Sequence, residues 1–214
     1  MSSKEDVSSK EGQYVRQAGE WTENAYADAT TYLAHRADLI ATLGPTLEPG
    51  DEILDLACGD AGLGELLVER GFRYRGVDST PEMVAEASGR LGGRAPVEIG
   101  DLNEYVPPAP VAATTVFRAI YYARDRRAFF THVVAFTEKK LVFDLNPRQY
   151  RPAVVVADLR ASGYETVLLR PFFVPQTVAL PRVAVTAAKI LERSGPLARL
   201  ALRARFTYLV AASR

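Results

Sequence analysis

From Tyr26 onward, Leu33, Ala37, Ile40 and Leu43 recur at helical spacing and Gly44-Pro45 closes the run, so the pattern predicts a helix over 26–43. Past Pro49-Gly50 the period shortens: Glu52 to Leu56 is a brief apolar run bounded by turn residues, as in a strand covered on both faces. A glycine-rich turn leads into a helix over 63–70 closed by Gly71, then into a strand over 74–78. The next helix carries its own boundaries: Ser79 or Thr80 as cap, Pro81 in the first turn, Glu82 completing a Ser-x-x-Glu box, and Gly92-Gly93 at the end. Strands follow at 97–100, 112–117 and 141–145, with a helix over 126–137 that brings Phe129, Val133 and Phe136 to one side. A helix over 154–162 stopped by Gly163, a strand over 166–173 and a last strand over 206–211 complete the pattern. Such alternation predicts an α/β fold with a parallel sheet and right-handed crossovers, whose ligands bind beyond the carboxyl ends of the strands.

Composition narrows the partners. The 214 residues hold 26 basic and 26 acidic side chains, so no overall field draws the chain to nucleic acid or an anionic membrane, and a small-molecule partner is expected. The single cysteine, Cys58, excludes an internal disulfide and a cysteine-rich zinc site, and fits a reducing, cytoplasmic setting. The polar start MSSKEDVSSK is unlike a secretory signal, and no run approaches the roughly 20 apolar residues that span a bilayer. Length and pattern together predict a mobile tail over 1–20 and one domain over 21–214. That domain divides into a helical cap (21–48), a cofactor-binding core (49–145) and a half that completes the sheet (146–214).

Chemistry concentrates at strand ends. Asp55 lies in the first strand, Asp78 ends the second and Asp101 follows the third. Between the first two runs Ala57-Cys58-Gly59-Asp60-Ala61-Gly62-Leu63-Gly64, small residues that let a ligand approach the backbone at a helix N-terminus. A dinucleotide-binding domain also places an acid about 20 residues beyond its glycines. Here, however, the spacing is Gly59-x-x-Gly62-x-Gly64 rather than G-x-G-x-x-G, the first strand carries an internal acid, and no Tyr-x-x-x-Lys pair occurs.

Ile53-Leu54-Asp55-Leu56-Ala57-Cys58-Gly59 resembles the first motif of class I S-adenosylmethionine-dependent methyltransferases, D-x-G-x-G-x-G, with Ala57 and Ala61 in place of two glycines. The resemblance extends over about Pro49 to Leu145. It implies a Rossmann-like three-layer sandwich around a mostly parallel seven-stranded sheet with an antiparallel last strand. It further implies S-adenosylmethionine as cofactor and S-adenosylhomocysteine as product. Ala57, Cys58 and Gly59 would flank the methionine part, Asp55 would anchor its ammonium, Asp78 with Ser79 would meet the ribose, and Asp101 with Leu102 the adenine. Met83 would pack on the adenine face, and Phe117 would close the cofactor site. A carboxylate suits two adjacent hydroxyls because its two oxygens lie in one plane.

Methyl transfer is a direct displacement, so the protein mainly aligns an acceptor and excludes water. Arg118, Tyr121 and Tyr122, just past the fourth strand, are read as an acceptor wall suited to an anionic or aromatic group; the alternative is that the tyrosines pack a helix. Asn146 after the fifth strand and Tyr26 at the start of the first helix are further acceptor candidates. His35, Tyr121 and Asp144 are the candidate bases; His35 is read either as facing the ligand or as structural, and His132 as a surface or packing residue. Tyr14, Trp21, Tyr26 and Tyr32 form either a lid over the site or an ordinary docking surface. Residues 181–205 carry a local charge of +5, read as a solvated helix face. The function expected is methylation of an oxygen or nitrogen on a small molecule, the alternative being a cofactor-binding module that acts through protein contacts.

Overall fold

The computed structural model describes residues 25–201 and 207–214, and the side chains of 199–201 are left aside. The expected tail over 1–20, Tyr14 and Trp21 of the aromatic cluster, and Arg203, Arg205 and Phe206 lie outside the described residues, as does the side chain of Arg199. In chain order the elements are α1 (Ala29–Thr42), β1 (Glu52–Leu56), α2 (Gly62–Glu69), β2 (Arg73–Asp78), α3 (Pro81–Leu91), β3 (Val97–Ile99) and β4 (Val111–Val116). A 3-10 turn (Ile120–Tyr122) precedes α4 (Arg126–Val134), β5 (Thr137–Leu145), α5 (Pro152–Ala161), β6 (Thr166–Phe172), α6 (Arg182–Glu192), α7 (Pro196–Ala201) and β7 (Thr207–Ser213).

The seven strands form one sheet in the order β3-β2-β1-β4-β5-β7-β6. All pairs from β3 to β5 are parallel, and β7 runs antiparallel to both neighbours. Every residue of β4 is buried, which follows from its central place between two helical layers. Because side chains alternate across a strand, Ile53 of β1 packs with α1 and α2 while Leu54 and Leu56 pack with α4 and α5, giving one apolar cluster on each face. Asp55, on the Ile53 face, therefore points toward the layer that contains α1. Pro171 sits in β6, the edge strand, where a missing N–H costs no ladder bond.

Several boundaries and one cap differ from the pattern. Helix α1 begins at Ala29 because Asp28 is its cap, accepting the Thr31 N–H at 3.0 Å; Tyr26 lies before the helix. Helix α3 starts after Thr80 with no side-chain cap, so the Ser79–Glu82 box does not form; Asp78 Oδ1 instead accepts the Thr80 N–H at 3.0 Å. Helix α4 ends at Val134, and β5 begins at Thr137, four residues before its apolar run. Two residues of its polar start are buried with partners: Thr137 pairs with Thr114 at 2.6 Å, and Lys140 Nζ donates to the carbonyls of Ala41 and Leu43 at the end of α1. No helix among the described residues is long and apolar enough to cross a membrane.

Candidate functional site

The turn between β1 and α2 is left-handed at three alternate positions, Ala57 (φ 60°), Gly59 (φ 58°) and Ala61 (φ 56°). The two alanines thus adopt the path glycine would take, at a strain of about 1–2 kcal/mol each. Three contacts hold this turn. Cys58 N–H donates to Val77 O at 3.0 Å, Gly59 N–H donates to Asp78 Oδ2 at 2.9 Å, and Arg90 of α3 clamps Asp60 through its carbonyl at 2.9 Å and its Oδ2 at 2.8 Å. Asp78 therefore fixes the turn and the start of α3 with one bond per oxygen, and each oxygen retains a second lone pair.

Asp55 is 3% exposed and opposes Gly76 on β2 and Thr115 on β4. Thr115 donates to its Oδ1 at 2.6 Å and the Tyr74 hydroxyl to its Oδ2 at 3.0 Å. Burial pushes its pKa up to about 6, against the pull of those two bonds and of the Arg36 charge. The same burial raises the Cys58 thiol and the Tyr74 phenol. Space for the Tyr74 ring comes from Gly64, where a Cβ would stand 2.4 Å from Tyr74 Cζ. Gly76 makes room for Cys58 in the same way, since a Cβ there would meet its Sγ at 2.9 Å.

Asp101 begins the loop after β3, where Oδ1 takes the backbone and side-chain N–H groups of Asn103 at 2.9 and 2.7 Å and Oδ2 pairs with Arg124. Burial works against its charge, but the Asn103 bonds and Arg124 hold its carboxyl below the ordinary value. At the opposite end, Arg36 of α1 is 2% exposed, with its guanidinium 4.2 Å over the Phe117 ring and 4.8 Å from that of Tyr32. Burial disfavours this cation, yet Tyr32, Tyr26, Asp144 and Asp55 together raise it above its ordinary value. Arg118 follows β4 at φ 56°, and its N–H donates to Asp144 Oδ1 at 2.7 Å.

These groups surround one cavity of about 430 Å³. All ten residues assigned to the cofactor line it: Asp55, Ala57, Cys58, Gly59, Asp78, Ser79, Met83, Asp101, Leu102 and Phe117. Of the acceptor candidates, Tyr26, Arg118 and Tyr122 line it as well. Four residues do not. His35 is turned away from the ligand space, its Nε2 2.7 Å from Glu192 Oε2 in a buried pair that ties α1 to α6. Tyr121 packs its ring against Tyr122, tilted by 47° at 4.3 Å between ring centroids. Asp144 is committed to Arg118 N–H and lies 3.7 Å from Arg36 Nη2. Asn146 shapes the turn after β5 by accepting the Arg148 N–H. His132 contacts Tyr105 O at 2.9 Å and the Phe136 ring, as expected of a packing residue.

Arg36, Asn103 and Arg124 line the cavity without having been singled out in the sequence. Asn103 follows Asp101 by two residues and could have been read as its hydrogen-bonding neighbour. Arg36 occupies a helical position flanked by apolar ones, a weak signal. Arg124 carries none. Among the described residues no group of three or more His, Cys, Asp or Glu is arranged to hold a metal ion.

Residues 53–140 match the methyltransferase domain family. No curated protein sequence matches the chain. Among solved structures, the fold is similar to a TehB-like S-adenosylmethionine-dependent methyltransferase from Corynebacterium glutamicum, at 17% identity and a TM-score of 0.67 over 95% of this chain and 99% of that one. It is similar to a chain of the complex between the Haloferax volcanii Trm112 methyltransferase activator and a methyltransferase, at 18% identity and a TM-score of 0.66 over 94% of both chains. It also resembles magnesium protoporphyrin IX methyltransferase from Synechocystis with S-adenosylmethionine bound, at 16% identity and a TM-score of 0.56 over 98% of this chain and 82% of that one. At these identities the likeness is one of fold.

Proposed function

We propose that this chain, whose residues 53–140 form a methyltransferase domain core within the class I methyltransferase fold, binds S-adenosylmethionine and methylates an oxygen or nitrogen of a small molecule. One observation carries the reading: carboxylates from three adjacent strand ends, Asp55, Asp78 and Asp101, line a single cavity beside the left-handed turn. They fit the cofactor in order along the sheet. Asp101, with one oxygen saturated by Asn103 and the other reaching Arg124, would lie at the adenine with Leu102 and Met83. Asp78 keeps lone pairs for the ribose hydroxyls. Asp55 is a buried acid whose raised pKa marks a site that gains from a cation, as the methionine ammonium would supply.

When bound, the cofactor supplies a methyl group activated by a sulfonium. The chain's part is to hold the two reactants in line and keep water out, which suits a cavity walled by Phe117, Leu33 and Leu63. No general base is assigned, since His35 and Tyr121 do not line the cavity and Asp144 is held by Arg118. The mouth lined by Tyr26, Arg118 and Tyr122 is continuous with the cofactor half, which favours an enzyme over a module that acts only through protein contacts. Calorimetric titration with S-adenosylmethionine, S-adenosylhomocysteine and NAD tests the reading. Micromolar binding of both sulfur compounds and none of NAD is expected, followed by S-adenosylhomocysteine release with an acceptor panel; binding of NAD alone would overturn it.

A further inference from the structure

The last two strands of the sheet are adjacent and antiparallel, with Phe172 at the end of β6 opposite Thr207 at the start of β7. A hairpin turn of about 2–5 residues would join them. Residues 173–206 intervene instead, and α6 within them is fastened to the body of the protein. Glu192, its last residue, is buried: Oε2 meets His35 Nε2 of α1 at 2.7 Å, and Oε1 accepts the Phe173 N–H at 2.7 Å. Val185 is buried too and packs into the core on the α1 face of the sheet. These contacts fix which way the helix faces.

Successive helical residues turn by about 100°, so Val183, Ala187 and Ile190 share one face of α6, opposite Val185 and Glu192. A basic stretch is expected to turn its charges outward, yet here the aliphatic side chains face outward. Val183 is 82% and Ile190 65% exposed, with Ala187 exposed between them. Leu197 of the adjoining α7 is exposed as well. The same helical geometry sets Arg182, Lys189 and Arg193 along one flank, between the outer face and the protein body. Arg182 and Arg193 are exposed, and Lys189 Nζ stands 3.8 Å from Asp38 Oδ2 of α1. Glu192 is the only acid in residues 173–206, so no carboxylate of this segment offsets those cations at the surface.

We propose that α6 docks the protein reversibly on an anionic lipid surface. Val183, Ala187 and Ile190 enter the boundary between headgroups and acyl chains, while Arg182, Lys189 and Arg193 lie at headgroup level, where lipid phosphates and carboxylates meet them. The inference is independent of the cofactor reading. Three features select a lipid surface over other occupants. The outward side chains are aliphatic, whereas the anchors of protein partners are chiefly Trp, Tyr and Arg. The flank carries one sign of charge, which complements a surface of the opposite sign. A second copy seated on this face would bring the same cations and no acid from this segment. Because the chain as a whole has no net charge, attraction is confined to the patch and is open to screening by salt.

The full chain is sedimented with vesicles of phosphatidylcholine alone and of phosphatidylcholine mixed with phosphatidylserine. Binding to the mixed vesicles should be about tenfold or more tighter, and added salt should weaken it. Val183→Ser combined with Ile190→Ser should abolish binding, and Arg182→Gln combined with Arg193→Gln should remove the preference for anionic lipid. All four side chains are exposed, so both double variants should keep the wild-type melting temperature. No binding at millimolar lipid overturns the proposal, as does binding that survives the serine pair, since charge alone or another surface would then account for it. Self-association that the serine pair abolishes, with no vesicle binding, overturns it in favour of a contact between copies. Binding of polyglutamate with none of vesicles overturns it in favour of an acidic protein partner.

Discussion

Lowering the pH through about 6 should weaken S-adenosylhomocysteine binding if Asp55 holds the methionine ammonium. Burial raises this carboxyl to about 6 from an ordinary 3.8, with the Thr115 and Tyr74 bonds and the Arg36 charge pulling the other way. A carboxyl whose folded value exceeds its unfolded value stabilises the fold fully below the unfolded value and loses that contribution as pH rises through the folded one. Moving from 3.8 to about 6 makes the ionised state of the free protein costlier by about 3 kcal/mol. A cation beside the carboxylate offsets that cost, so ligand binding expels a proton wherever the free site is protonated. Below about 6 the affinity should fall by up to tenfold per pH unit, about 1.4 kcal/mol, until the bound-state value is reached. Calorimetry with S-adenosylhomocysteine from pH 7 to about 5 measures it, in a window where an α-amino group of pKa about 7.7–8.0 stays charged. Asp55→Asn should bind weakly throughout and show no such slope, while its ligand-free melting temperature at neutral pH matches or exceeds that of wild type. A wild-type affinity that stays flat across the window, or a slope that survives in Asp55→Asn, would refute the placement of the ammonium.

Asp78→Ala removes the acceptor for the Gly59 and Thr80 N–H groups as well as for the ribose, so cofactor affinity should drop by about 1–3 kcal/mol in calorimetry; unchanged affinity in a folded variant would rule out the ribose assignment. Gly64→Ala drives a Cβ to 2.4 Å from the Tyr74 ring and should cost about 1–3 kcal/mol in denaturant unfolding, with a loss of cofactor affinity as Tyr74 moves off Asp55. Ala57→Gly relieves a left-handed alanine at the cavity edge, and the strain relieved exceeds the entropy glycine adds to the unfolded chain; melting should rise by about 2–4 °C. A fall in melting temperature would show that Ala57 carries no strain.

The strands that matter for the site were legible because each is a short apolar run bounded by turn residues, and the acids at their ends are chemically distinct from everything around them. Asp55, Asp78 and Asp101 could be placed on one edge from strand alternation alone. What stayed hidden depends on distant partners. Thr137 reads as the end of a helix and Glu138-Lys139-Lys140 lies outside the apolar run, yet all four become strand because Thr114 meets Thr137 and the carbonyls ending α1 receive Lys140. The Ser79–Glu82 pair had the right spacing for a capping box, but the cap position falls on Thr80, whose own N–H goes to Asp78. His35 and Arg36 are adjacent on α1, and their side chains part to opposite environments. His35 meets Glu192, 157 residues away, so nothing local could say which of the two would face the ligand.

Arg36 and Asp55 bear on each other through this cavity. Each is an almost fully buried charge on the side of the sheet covered by α1, one contributed by the cap and one by β1, and each raises the ionised fraction of the other. Mutual attraction across the cavity does not bring them into contact, for neither takes the other as a hydrogen-bond partner: Asp55 takes Thr115 and Tyr74, and Arg36 takes Tyr32. Separation of opposite buried charges costs stability unless something stands between them, and the cap is not free to close the gap. Helix α1 is pinned by the His35–Glu192 pair, by Lys140 at its C-terminal carbonyls and by Arg70 on the Ala34 carbonyl. The arrangement is therefore a fixed dipole held open across the ligand space, with the carboxylate beside the turn that would hold the methionine and the guanidinium over the Phe117 ring. A bound ligand that brings a cation to Asp55 and an anion to Arg36 compensates both charges without moving the cap, which is the preorganisation that a displacement reaction between two bound molecules requires.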